Sequence, residues 1–184
     1  MWPWGHLAIA YLVYTLYSRV RYGRSPRALP AIAVAIGSQF PDLIDKPLAW
    51  ELGLLSSGRS LAHSITVASL LIPVVYAVGV RVGHRESAAA FAIGHVTHLV
   101  TDLPPMPFRG DFDGATYLFW PFLGPPEYGE SGGVLVLFSR HSFSIRNTVQ
   151  LAVFAIAIVV WYRDRVPGLG FAWRSVRRYV PLGE

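Results

Sequence analysis

Five separated segments carry the side chains of this sequence best suited to hold a divalent ion or the anion it acts on. They are His6; Asp42 with Asp45; Arg59 with His63; His95, His98 and Asp102; and His141. The chain contains no cysteine, so a metal site here must be built from imidazole and carboxylate. The fourth segment is the sharpest. In Gly94-His95-Val96-Thr97-His98-Leu99-Val100-Thr101-Asp102, a helix would turn positions 95, 98 and 102 to within about 60° of one another, so two imidazoles and a carboxylate share a face. His98 and Asp102 are read as ligands, because ionisable groups in an apolar segment are costly. His95, one turn deeper, reads equally as a ligand or as a supporting residue. In Pro41-Asp42-Leu43-Ile44-Asp45, two hard anionic ligands follow a helix-ending proline. In Gly58-Arg59-Ser60-Leu61-Ala62-His63, Arg59 suits a phosphate through its planar fork while His63 suits the metal. Ser60 is read as a helix N-cap.

The elements that must position these groups are apolar. With 184 residues, 53% of them hydrophobic and 15% charged, the chain is too apolar for an ordinary soluble domain. The expectation is a single all-α domain over 1–184, a polytopic helical membrane protein with about five apolar helices. They are expected near 4–17, 27–40, 62–82, 87–103 and 147–162, the second ended by Pro41 and the fourth by Pro104 and Pro105. Only the third and fifth approach the roughly 20 residues of a full span, so the others must tilt or thin the bilayer. A Pro- and Gly-rich outer loop covers about 104–146, with 134–138 as a short strand or interfacial run inside it, and a basic tail covers about 163–184. Asp111-Phe112-Asp113-Gly114 is read as a turn, since the bidentate Glu of a calcium loop is missing downstream.

Charge gives an orientation. Arg19, Arg21, Arg24, Arg27, Arg81, Arg85 and the five arginines from Arg163 to Arg178 fall on one side with only Glu86, Asp164 and Glu184, whereas the other side holds five bases and eight carboxylates. The positive-inside rule then puts the N-terminus outside and the C-terminus in the cytoplasm. No basic region precedes the first apolar stretch, so it is not read as a removed signal peptide. His6, Asp42, Asp45, His63, His98, Asp102 and His141 all fall at outer ends, and His84 is the single histidine on the basic side. Fifteen arginines against one lysine flank apolar segments, so membrane lipids, not nucleic acid, are the expected partners. The tryptophans and tyrosines near the segment ends suit interfacial anchors.

A divalent ion held by His63, His98 and Asp102, with Asp42 or Asp45 beside them and His6 on it or on a neighbouring ion, would acidify water and polarise a phosphoryl or acyl oxygen. Asp45 or His141 would serve as general base and Arg59 would neutralise a leaving phosphate. Zinc suits the nitrogen-rich set, with manganese or iron as alternatives. In their order, Gly5-His6, Pro41-Asp42, Arg59 to Ser64, His98 with Asp102, and Trp120-Pro121 resemble the YdjM-like membrane-bound metal-dependent hydrolases, with a distant likeness to zinc-dependent phospholipase C and P1-type nucleases. The resemblance implies metal positions at His6, Asp42, His63, His98 and Asp102. Here the second acid of the turn falls at Asp45, one residue later than the family's usual pattern. The expected function is hydrolysis of a phosphoester in a lipid or lipid-linked substrate at the extracytoplasmic face. The alternatives are an ion-handling transporter, which would spread its ligands along a path through the midplane, and a noncatalytic protein whose polar cluster ties helices together.

Overall fold

The computed structural model describes residues 1–103, 112–125, 145–171 and 173. His141, Arg140, the 134–138 run and the basic tail beyond 173 lie outside the described residues. Five α-helices form the body: α1 Pro3–Tyr22, α2 Ala28–Lys46, α3 Ile65–Arg81, α4 Arg85–Thr101 and α5 Ile145–Arg163. A π-turn, Pro47–Glu51, follows α2, and a 3-10 turn, Asp113–Phe119, precedes α5. There is no strand among the described residues, as the all-α expectation requires.

The helices sit where the apolar stretches predict, with two differences that matter for the site. First, Pro41 does not end α2; the helix runs through it to Lys46. A proline forgoes one amide bond to the preceding turn, and here the extra turn is held from within by an i,i+4 ion pair of Lys46 Nζ with Asp42 Oδ2 at 2.7 Å and from outside by the hydrogen bonds that Asp45 collects. Second, the cap of α3 is Ser64, not Ser60. Its Oγ accepts from the Thr66 and Val67 amides at 3.0 and 3.4 Å and donates to the Trp120 carbonyl at 2.7 Å. Residues 58–63 are thereby left as an irregular strap leading into the helix.

The centre of the fold is the crossing of α2 and α4. A β-carbon on Gly37 would stand 2.2 Å from the Phe91 carbonyl oxygen, and one on Gly94 would stand 2.4 Å from that of Val34, so the two backbones touch directly. Small residues permit this approach, the usual basis of helix association where lipid supplies no hydrophobic drive. Around the crossing, Ala10, Tyr11, Tyr14, Ala31, Val34 and Ala90 form a buried cluster in which α1 packs against both helices.

Of the described helices, α5 alone is long and apolar enough to cross a membrane, and α3 is apolar but shorter. The expected set of five apolar membrane helices is met to that extent only. On α1, α2 and α4 the inward faces carry His6, Asp42, Asp45, His95 and His98, which lowers their apolar content. On α3 and α5 the outward faces expose Leu70, Val74, Val78, Val149, Ile156 and Val159, a surface suited to hydrocarbon.

Gly94→Ala should force α2 and α4 apart, lowering stability by about 1–3 kcal/mol as overpacking does. Gly124→Ala, where an added β-carbon meets nothing within 4 Å, should be near neutral. Thermal unfolding of the two variants in one detergent checks this.

Candidate metal centre

At one end of the bundle, the start of α1, the last turn of α2, the strap before α3 and the end of α4 converge. They bring His6, Asp42, Asp45, His63, His98 and Asp102 together, all buried. The helical continuation through Pro41 matters here. It keeps Asp42 and Asp45 on one face, so that Asp42 reaches the histidines while Asp45 reaches the strap.

Each of the three clustered imidazoles has its Nδ1 committed to an oxygen behind it. His98 Nδ1 lies 2.6 Å from the Ser38 carbonyl, which can only accept, so the proton is on Nδ1. His63 Nδ1 lies 2.8 Å from Asp45 Oδ2, and that carboxylate also accepts from the amides of Ser60, Ala62 and His63 at 2.9, 2.8 and 3.2 Å. His6 Nδ1 lies 2.8 Å from Thr101 Oγ1. That hydroxyl donates to the Thr97 carbonyl at 2.8 Å, so it accepts from His6. Outer-shell acceptors of this kind fix the tautomer of metal-binding histidines. All three Nε2 lone pairs are left facing inward.

There they meet one another and two carboxylates. His63 Nε2 and His98 Nε2 are 3.1 Å apart; Asp42 Oδ1 is 3.4 Å from the first and 3.8 Å from the second. Asp102 Oδ2 is 3.8 Å from His63 Nε2, and Asp102 Oδ1 is 3.3 Å from His6 Nε2. Ligands bound at the usual 2.0–2.1 Å around a tetrahedral ion stand about 3.3–3.4 Å from one another, and these separations bracket that value. His6 Nε2 and Asp42 Oδ1 are buried without an aligned hydrogen-bond partner, while Asp42 Oδ2 has the Lys46 ammonium at 2.7 Å. Lone pairs and anions packed this closely require a cation or a proton between them. The residues fit a divalent ion.

Within the cluster two sets of three ligand atoms lie within 4.8 Å of one another: Asp42, His63, His98 and His6, His98, Asp102. His98 has one nitrogen to give, so it serves one set at a time. Asp42–His63–His98 is the better set, because both oxygens of Asp102 already carry cations: the Met1 amino group on Oδ1 and Arg59 Nε on Oδ2 at 3.0 Å. Burial alone would raise the Asp102 carboxyl, but neighbouring His6, Arg59 and the Met1 amino group outweigh it and hold the group well below the usual carboxylate range. For His63, burial would lower the pKa, yet Asp42 and Asp45 outweigh it and raise it. A proton is thus what the ring attracts when no metal competes for it.

Asp45, expected as a general base, is fully buried and saturated with hydrogen bonds behind His63, which makes it an orienting group. Arg59, expected against a phosphate, is paired with Asp102. His95 is not among the clustered ligand atoms; its ring packs against Phe40 and Phe91, at 5.7 and 6.0 Å between centroids. His141 falls outside the described residues. Sequence reasoning missed Ser38, Thr101, Tyr117 and Lys46. The Ser38 contribution is a backbone carbonyl and carries no signature. Tyr117 lies with its ring 6.4 Å from His63 and donates its hydroxyl proton to the Asp102 carbonyl at 3.2 Å, a contact fifteen residues apart in sequence with no periodicity to signal it. Lys46 stands four residues after Asp42, a spacing that pairs charges only if the helix continues through Pro41.

A family model described as YdjM inner membrane protein matches residues 1–177. No curated protein and no solved structure matches the chain.

Asp45→Ala should strip the strap of its acceptor and free the His63 ring, costing at least about 3 kcal/mol. Thermal unfolding, with hydrogen exchange at the Ser60, Ala62 and His63 amides, reads both effects; exchange at wild-type rates would show that Asp45 does not organise the strap.

Proposed function

The chain belongs to the YdjM inner membrane protein family, and in that setting we propose that it is a metal-dependent hydrolase acting on a phosphoester of a lipid or lipid-linked substrate at the extracytoplasmic face. The observation that carries the reading is the convergence of three Nε2 lone pairs with Asp42 and Asp102, each ring locked from behind. Asp42, His63 and His98 would hold the ion, with Asp102 beside it as the carboxylate that tethers Arg59. A divalent ion, zinc by the nitrogen content or else manganese or iron, supplies acidified water and polarisation of a phosphoryl oxygen.

The chain's own residues do the rest. Asp45 and the Ser38 carbonyl keep His63 and His98 in the ligating tautomer. His6 retains a lone pair at Nε2, held in place by Thr101 and stacked on His98 at 3.9 Å between ring centroids, and it is the group set to accept a proton. Arg59, about one-third exposed, bridges from Asp102 towards solvent, where it would offset charge on a leaving phosphate. The excess of Arg at the opposite end supports an outer-leaflet location at headgroup depth.

Elemental mass spectrometry on detergent-purified protein tests the reading. Wild type should carry stoichiometric zinc or manganese, and His98→Ala and Asp42→Ala, verified as folded by circular dichroism and gel filtration, should lose it. Wild type that stays metal-free after zinc is added back would sink the hydrolase assignment and leave a polar cluster that ties helices together.

A further inference from the structure

Two cations stand beside the cluster, each on one of its carboxylates. Lys46 Nζ is 2.7 Å from Asp42 Oδ2 and Arg59 Nε is 3.0 Å from Asp102 Oδ2. Both reach further into solvent than their partners: the side chains of Lys46 and Arg59 are 17% and 32% exposed, against 10% and 3% for Asp42 and Asp102. One aromatic ring relates them. Lys46 Nζ lies 5.7 Å from the centroid of Trp50, and the same ring packs on the turn that presents Arg59, where a β-carbon on Gly58 would stand 3.1 Å from Trp50 Cε2 and Cζ2. Trp50 therefore fixes the Lys46 stem and the Gly58–Arg59 turn against a common surface, by cation–π attraction on one and van der Waals contact on the other.

We infer that Lys46 and Arg59 form a two-cation anion site at the mouth of the cluster, and that its ligand is a phosphate group. The inference builds on the metal reading and extends it to a residue with no part in ligation. Against the three buried carboxylates Asp42, Asp45 and Asp102, the two cations and a bound divalent ion together leave the site with net positive charge for an incoming anion. The number of acceptors selects among anions. A ligand that meets the ion, Lys46 and Arg59 together is served best by three oxygens on one centre, one for each partner, which phosphate offers and a carboxylate does not. An ammonium has three donors and Lys46 can keep Asp42 while turning another outward. Lys46 is a positioning and charge-matching residue for the same substrate that Arg59 contacts.

The test is a binding titration followed by phosphorus NMR on the zinc-loaded full chain in detergent, with inorganic phosphate, dihexanoyl phosphatidic acid and dihexanoyl phosphatidylcholine as probes and zinc content measured on each sample. Wild type should bind inorganic phosphate or phosphatidic acid but not phosphatidylcholine. Lys46→Gln should weaken that binding by about tenfold or more, the usual loss for one charge-assisted hydrogen bond, with zinc content unchanged, and Lys46→Arg should restore it. Equal binding of phosphate and phosphatidic acid would identify the free phosphate group as the ligand; binding of phosphatidic acid alone would identify the lipid headgroup. No phosphate binding by loaded wild type, equal binding by Lys46→Gln, or joint loss of zinc and phosphate in Lys46→Gln would overturn the inference. A metal-free wild type that still binds phosphate through Lys46 would overturn the hydrolase reading alone.

Discussion

Two nitrogen lone pairs cannot rest 3.1 Å apart in a dry interior, and the approach of His63 Nε2 to His98 Nε2 is the constraint around which this end of the molecule is organised. Were either ring free to turn, it would present its protonated nitrogen and the contact would become an ordinary hydrogen bond. Neither is free. The Ser38 carbonyl can only accept, and Asp45 is anchored by three backbone amides, so both rings are committed before they meet. Asp42 adds negative charge to the same point. Such an arrangement persists only if a positive charge occupies the centre, and ligand separations close to a tetrahedral edge make a divalent ion a better occupant than a proton.

Holding those rings needs the helix crossing. The Ser38 carbonyl reaches His98 because α2 and α4 touch at Gly37 and Gly94, and the residues that make the touch possible are immediate neighbours of the residues that use it. Sequence places Gly94 one turn before His98 and Gly37 beside Ser38, so packing and ligation are set by the same turn of each helix. The strap supplies what the helices cannot. His63 lies just before α3 begins, and its backbone is fixed by Asp45 from below and, through Ser64, by the Leu118 and Trp120 carbonyls.

Much of this was legible from residue types. Imidazole and carboxylate at helical spacing in apolar segments, all at one set of ends, is a pattern that periodicity and charge reveal, and His6, Asp42, His63, His98 and Asp102 come together as that pattern requires. What could not be read was the division of labour. Whether Asp45 or Asp42 faces the histidines depends on the helix surviving Pro41, a tertiary outcome that local propensity opposes. His95 shares its face with His98 by angle but lies a turn further from the cluster, where it packs against Phe40 and Phe91. Lys46 was hidden by the same misplaced helix end.

The opposite end of the bundle shows that the unsatisfied atoms are not a general feature of how this chain buries charge. There Asp164, fully buried, accepts from Tyr11 at 2.8 Å and Thr15 at 2.7 Å and pairs with Arg19, while Glu86 accepts from Tyr14 at 3.1 Å and pairs with Arg24 at 2.5 Å. Each of these two carboxylates has a hydroxyl donor and a guanidinium, the solution expected where polar groups only tie helices together. At the other end the same fold gives Asp42 the Lys46 ammonium on Oδ2 but no aligned donor on Oδ1, and it turns three imidazole Nε2 lone pairs inward. A seam that only ties helices together is expected to meet such lone pairs with donors, as the Asp164 and Glu86 pairs are met. A site able to receive a cation keeps Asp42 Oδ1 and the Nε2 atoms open, because a donor placed there would compete with the ion for the same lone pairs.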